Sequence, residues 1–145
     1  MKLILGVTGT REGMNKVQKE NLEKVIEQLL FEQEYDERIL HQGQCQGVDV
    51  QVAKILKSKY GFKVISHPPV KKELMGICEN DEVRLPKGYL ARDRNIVNEC
   101  KLLLVFPKEN THQKVGGTWY THDFALKQNK PLYLISPDGN ITKKN

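Results

Sequence analysis

The feature that most constrains this chain is a change of hydrophobic period that repeats along its length. Short apolar runs stand at Leu3 to Val7, Arg38 to His41, Phe62 to His67, Lys101 to Phe106 and Pro131 to Ser136. Each is short and largely apolar on both faces, as a buried parallel strand requires. Between them the apolar residues recur every three or four positions. From Asn15 to Phe31 these are Val17, Leu22, Val25, Ile26, Leu29 and Leu30; from Val48 to Lys59 they are Val52, Ala53, Ile55 and Leu56. Such spacing marks amphipathic helices. Two more helices are expected, over Tyr89 to Glu99 and from Gly116 to about Gln128. Asn15 and Gln18 stand three apart, as in a capping box. Pro68-Pro69 stops the third strand.

Strand–helix alternation implies parallel strands joined by right-handed crossovers. The expectation is an α/β chain: a three-layer α/β/α Rossmann-like sandwich around a mainly parallel five-stranded sheet, with residues 1–145 forming a single domain. Hydrophobic residues make up 39% of the chain, enough for one core. No apolar run approaches the ~20 residues of a membrane helix. The apolar part of Met1 to Val7 is too short for a secretory signal, so a cytoplasmic location is expected. Cys45, Cys78 and Cys100 have no paired spacing, which argues against a disulfide framework. No Cys or His pair has zinc-ligand spacing, and no metal is expected. The net charge of +5 comes mostly from scattered lysines, without a basic block. This disfavours a long nucleic-acid footprint and leaves room for a phosphorylated ligand.

Glycines fall after three of the strands and at the openings of helices. The segments are Gly6-Val7-Thr8-Gly9-Thr10-Arg11, then His41-Gln42-Gly43-Gln44-Cys45-Gln46-Gly47-Val48-Asp49, then Val115-Gly116-Gly117-Thr118. Glycine lets a ligand approach the backbone. Helix N-termini offer free N–H groups and partial positive charge. In open α/β sheets the ligand site lies at the carboxyl ends of the strands, near the switch in strand order. No segment is a Walker loop or a full Gly-x-Gly-x-x-Gly fingerprint. Residues 70–88 are polar and aperiodic, and read as a long functional loop, with or without a short helix, suited to a lid or a partner surface.

These three segments, with Ala53, Arg94-Asn95-Ile96-Val97 and Ala125, occur in an order that resembles the SLOG superfamily. That superfamily joins the Smf/DprA and LOG Rossmann-like proteins, and the small stand-alone YspA-like members are the most similar. The resemblance spans roughly residues 3 to 136. It implies a pocket for a nucleotide or nucleotide derivative. By position, Gly9, Thr10 and Arg11 would face the ligand from the first loop. Gly43 and Gly47 would shape the second, with Asp49 beside it. Arg94 and Asn95 would reach in from the short helix. Gly116, Gly117 and Thr118 would hold a phosphate. The phosphoribohydrolases of the LOG group carry Pro-Gly-Gly-x-Gly-Thr-x-x-Glu with a catalytic Glu. Here Val115 replaces the proline and Thr121 stands at the glutamate position. A hydroxyl cannot serve as a carboxylate base near neutral pH, so hydrolysis of that type is disfavoured. Glu99, Asp93 and Asp123 are candidate substitutes.

Asp49 suits a helix first turn, a ribose hydroxyl or a clamp on the glycine loop, and its charge would direct a phosphate towards the third loop. A salt bridge from Arg94 to Asp49 is one alternative to ligand contact. Cys45 reads as loop filling more readily than as a nucleophile beside His41. Trp119 and Tyr120 are candidates for stacking on a base or for packing on the sheet. The leading expectation is binding or sensing of a nucleotide-type small molecule, such as an ADP-ribose-like or cyclic-nucleotide signal, by a homo-oligomer. A nucleotide-metabolising hydrolase and a DprA-like binder of single-stranded DNA are the alternatives.

Overall fold

The computed structural model describes residues 1–145. Strand β1 (Lys2–Gly9) leads through helix α1 (Lys16–Glu32) to β2 (Glu37–Gln42). Helix α2 (Val48–Tyr60) then leads to β3 (Lys63–Ser66). A single 3-10 turn (Lys72–Leu74) precedes β4 (Glu82–Val83) and α3 (Tyr89–Glu99). The chain ends with β5 (Leu102–Phe106), α4 (Gly117–Lys127), β6 (Leu132–Ile135) and β7 (Ile141–Lys144).

The strands form one sheet in the order β4-β3-β2-β1-β5-β6-β7. All neighbours are parallel except β6 and β7. The chain winds outward from β1 on one side, then returns to place β5 on the other. The switch in strand order therefore lies between β1 and β5. The five expected strands and four expected helices are present. The sheet nevertheless has seven strands, not five. The two additional ones are edges: β4 has only two residues, and both are exposed, while β7 is Ile-Thr-Lys-Lys. Edge strands of this kind are held by backbone ladder bonds and carry polar, solvated side chains. No apolar run announces them.

The pleat of β1 sorts the two layers. Leu3, Leu5 and Val7 point to one face and pack with Leu22, Val25 and Ile26 of α1 and Val52, Ala53 and Leu56 of α2. On the other face Ile96 and Val97 of α3, Cys100 just after it and Ala125 of α4 pack with Leu103, Val105 and Leu132. Two crossovers running one way and two running the other place their helices on opposite faces, because each is right-handed. The result is the expected α/β/α sandwich.

The start of α1 is fixed by more than its cap. The Asn15 side chain accepts from the Gln18 N–H at 2.9 Å, and the Gln18 side chain accepts from the Asn15 N–H at 3.1 Å. Gln18 is also buried, and its Nε2 donates to the carbonyls of Pro107 at 2.8 Å and Ile135 at 3.0 Å. One side chain thus closes the helix and ties it to the ends of β5 and β6. Removing it would leave two buried carbonyls without a donor. Gln18→Ala is expected to cost about 2–3 kcal/mol and Asn15→Ala about 1 kcal/mol. Urea unfolding of the two variants checks this; equal losses would mean that the carbonyl contacts contribute nothing beyond the cap.

Candidate ligand-binding cleft

A cleft of about 350 Å³ opens at the carboxyl ends of β1 and β5. Its walls come from the loop after β1, the start of α2, the inner side of α3 and the loop leading into α4. Backbone bonds lock these walls together. The Thr10 N–H donates to the Phe106 carbonyl at 3.1 Å, and the Val48 N–H donates to the Thr10 carbonyl at 3.1 Å. Such close joining excludes side chains at two positions. A Cβ on Gly9 would lie 2.5 Å from Val48 Cγ1. Gly47 has φ +88, and a Cβ there would strike the Thr10 and Arg11 carbonyls.

Helix α4 enters from the opposite wall. Its first intrahelical bond runs from the Tyr120 N–H to the Gly116 carbonyl at 3.0 Å. The N–H groups of Gly117, Thr118 and Trp119 therefore lie outside the helical ladder, at the positive end of the helix dipole. Gly116, Gly117 and Thr118 all line the cleft, facing Gly9, Thr10 and Arg11 across it.

The floor is a buried charge cluster. Arg92 is only 4% exposed. Its Nη1 donates to the Gly43 carbonyl at 2.7 Å, and its guanidinium lies 3.5 Å from Cys45 Sγ. Its Nε is 3.0 Å from Asp93 Oδ1. That contact is an ion pair only, because the Nε–H makes no hydrogen bond. Asp49 is buried beside it and accepts from the Cys45 N–H at 3.3 Å. Burial pushes the Asp49 carboxyl up to about 6, against the pull of Arg92. Burial likewise pushes Asp93 up to about 6, again opposed by Arg92. One guanidinium does not fully compensate two desolvated carboxylates.

The structure divides the sequence-derived site residues. Gly9, Thr10, Arg11, Asp49, Gly116, Gly117 and Thr118 border the cleft. Gly43 and Gly47 lie behind it: Gly43 receives Arg92, and Gly47 backs onto the first loop. Arg94 and Asn95 do not enter the cleft. Arg94 bonds the Tyr120 hydroxyl at 3.0 Å, and Asn95 lines a separate cavity with His67 and Glu99. Arg92 and Asp93 take the inward positions instead. The signal was available in the helix period. Ile96 and Val97 face the core, so the residues four earlier, Arg92 and Asp93, share that face. An ion pair to Asp49 from Arg94 is accordingly replaced by proximity to Arg92.

Other expectations resolve locally. Cys45 is buried, and its thiol is pushed up by that burial and by Asp49, so it is no activated nucleophile. His41 pairs with His67 rather than with Cys45. Trp119 borders the cleft but is 3% exposed, with its Nε1–H on Glu109 at 3.0 Å. Tyr120 stacks on Phe124. The accessible aromatic ring is Tyr89, whose face lies 5.7 Å from the Arg92 guanidinium. None of residues 70–88 lines the cleft. That segment instead bonds to the second glycine loop, through Gln46 N–H to Leu74 O and Gly76 N–H to Gln44 O.

No protein-family model matches the chain, and no curated protein is significantly similar to it in sequence. Among solved structures, the structural-genomics target TM1055 is similar over 92% of this chain and 74% of its own, with a TM-score of 0.56 at 14% identity. Likeness at that identity concerns the fold, an α/β arrangement with a predominantly parallel sheet. No helix is long and apolar enough to cross a membrane.

The buried acids make stability depend on pH. An unfolded Asp loses its proton near pH 4, while folded Asp49 keeps it to about 6. The native state therefore holds more protons in that window, and stability falls as pH rises through it. Asp49→Asn is expected to match the native protein at pH 4 and to exceed it by roughly 1–3 kcal/mol at pH 7.5. Thermal unfolding at both pH values checks this. An equal gain at both would mean that ionisation is not the cause.

Proposed function

We propose that the protein binds a nucleotide or nucleotide-derived small molecule in the cleft at the carboxyl ends of β1 and β5, as a binding or sensing module. The observation that carries this reading is the facing of two donor surfaces across one cleft at the switch in strand order. On one side stand the free N–H groups that open α4; on the other stand Thr10 and Arg11. A phosphate would take the α4 side, since Asp49 repels an anion at the start of α2. The exposed Tyr89 ring offers a face for a base. The resemblance to SLOG proteins points the same way.

Charge limits the ligand class. Arg11, Arg92 and Lys108 line the cleft, but so do Glu12, Asp49, Asp93 and Glu109. With all of these ionised there is no positive field to gather a polyanion. Local donors must hold the guest, which suits a small molecule and disfavours a DNA strand. In this reading the protein is cytoplasmic and acts as a homo-oligomer.

A calorimetric titration with AMP, ADP-ribose and cyclic AMP tests the proposal. At least one is expected to bind in the micromolar range, and Arg11→Ala to weaken it about tenfold or more, the loss of one charge-assisted contact. Affinity is also expected to rise from pH 7.5 to 5.5 as Asp49 and Asp93 take up protons. No binding by any of the three, with native mass spectrometry of the purified protein showing no retained nucleotide, would defeat the reading.

A second reading, hydrolysis of an N-glycosidic bond, draws on one observation. Asp93 is buried on the cleft floor, close enough to Thr121 for that hydroxyl to influence its carboxyl, and Thr121 occupies the position of the LOG glutamate. A carboxyl near 6 is suited to acid–base work at neutral pH. The Thr121 hydroxyl itself donates to the Gly117 carbonyl at 2.8 Å. Incubation with AMP distinguishes the two. Free adenine that disappears in Asp93→Asn would establish the hydrolase; intact AMP would leave the binder.

A further inference from the structure

Two imidazoles are buried under α3, outside the cleft. His41 lies near the end of β2, and His67 follows β3. His41 pairs with Ile65, two residues before His67, so the pleat directs both rings to one face. Their exposures are 4% and 3%. His41 Nδ1 is 2.9 Å from His67 Nε2. Glu99, in the last turn of α3, places Oε2 3.6 Å from the same His67 nitrogen. All three donor atoms lie within 4.8 Å of one another.

The geometry points to a binding site for a divalent transition-metal ion, zinc or a similar cation, formed by His41, His67 and Glu99. A tetrahedral ion with bonds of about 2.0–2.1 Å holds neighbouring ligand atoms about 3.3 Å apart. The two separations at His67 Nε2, 2.9 and 3.6 Å, straddle that value, and the third, between His41 and Glu99, is within 4.8 Å, so an ion would draw the three ligands together by modest side-chain shifts. Without a metal, the two ring nitrogens share a single proton; a cation replaces that contact. Both rings are held neutral by burial, and neutral imidazole is the form that ligates.

The surroundings support the carboxylate and limit the affinity. Arg84 holds the other Glu99 oxygen at 2.9 Å, leaving Oε2 directed at His67. A ligand carboxylate is commonly oriented in this way by a group outside the ligand set. Arg84, Lys87 and Arg92 also place positive charge near His67, which opposes a dication. Glu82, 3.3 Å from Arg84, offsets part of it. The site therefore belongs in the micromolar class, well short of a thiolate zinc site. Beside it lies a cavity of about 420 Å³ bordered by His67, Asn95 and Glu99, with room for water to complete the coordination. The ion would tie β2, the end of β3 and α3 together, and α3 is the helix that carries Arg92 and Asp93.

The test uses the whole chain, stripped with chelator and titrated with Co²⁺ and Zn²⁺. One equivalent of Co²⁺ is expected to bind with the visible absorption of a four- or five-coordinate ion, and Zn²⁺ to raise the melting temperature. Glu99 is at the surface, so Glu99→Gln keeps the fold and is expected to weaken binding at least tenfold; His67→Ala is expected to abolish it. His112, His122 and Asp123 form a second cluster at the surface. His112→Ala is expected to leave the one-equivalent binding intact. The site is refuted by a dissociation constant weaker than ~100 μM for both ions. It is equally refuted by binding that survives Glu99→Gln and His67→Ala but not His112→Ala.

Discussion

Much of this structure is organised around the buried guanidinium of Arg92. A charge taken out of water costs several kcal/mol unless it is paired and hydrogen-bonded. Arg92 meets that demand from three directions: a carbonyl of the second glycine loop, the neighbouring Asp93, and Asp49 from the first turn of α2. Those contacts fix α3 against the second loop. They also explain why Gly43 carries no side chain, since a Cβ there would meet the guanidinium. The ring of Tyr89 covers the same group from the solvent side. A polar floor thus becomes a structural joint between elements remote in sequence.

The same joint sets the chemistry of the cleft. Two carboxyls share one guanidinium, and both are displaced towards neutrality by burial. The cleft is close to electroneutral, with donors concentrated at the opening of α4 and along the first loop. Shape and aligned N–H groups, rather than a net positive field, are what distinguish the place. The second glycine loop supports this arrangement from behind, itself braced by the segment that precedes α3.

The distant likeness to TM1055 at 14% identity is consistent with how such folds are specified. A buried parallel sheet asks for β-branched and aliphatic residues at strand positions and for amphipathic helices between them. Many sequences satisfy that demand. The close approaches are more restrictive, because Gly9 and Gly47 lie where loop backbone meets helix.

The sequence alone determined the layer order, the five central strands, the four helices, the capping box and the edge of the sheet at which the glycine loops gather. Each follows from local period or turn chemistry, which a linear pattern records directly. Tertiary structure decided the rest. The edge strands β4 and β7 form through backbone pairing with neighbours, and their exposed side chains leave no hydrophobic trace. The phase of α3, legible in its period, turned Arg92 and Asp93 inward with Ile96 and Val97 and turned Arg94 and Asn95 aside; the fold decided that the cleft lies on that inward side. His41, His67 and Glu99 share no sequence spacing at all, because three separate elements bring them together only when the sheet and its covering helix pack.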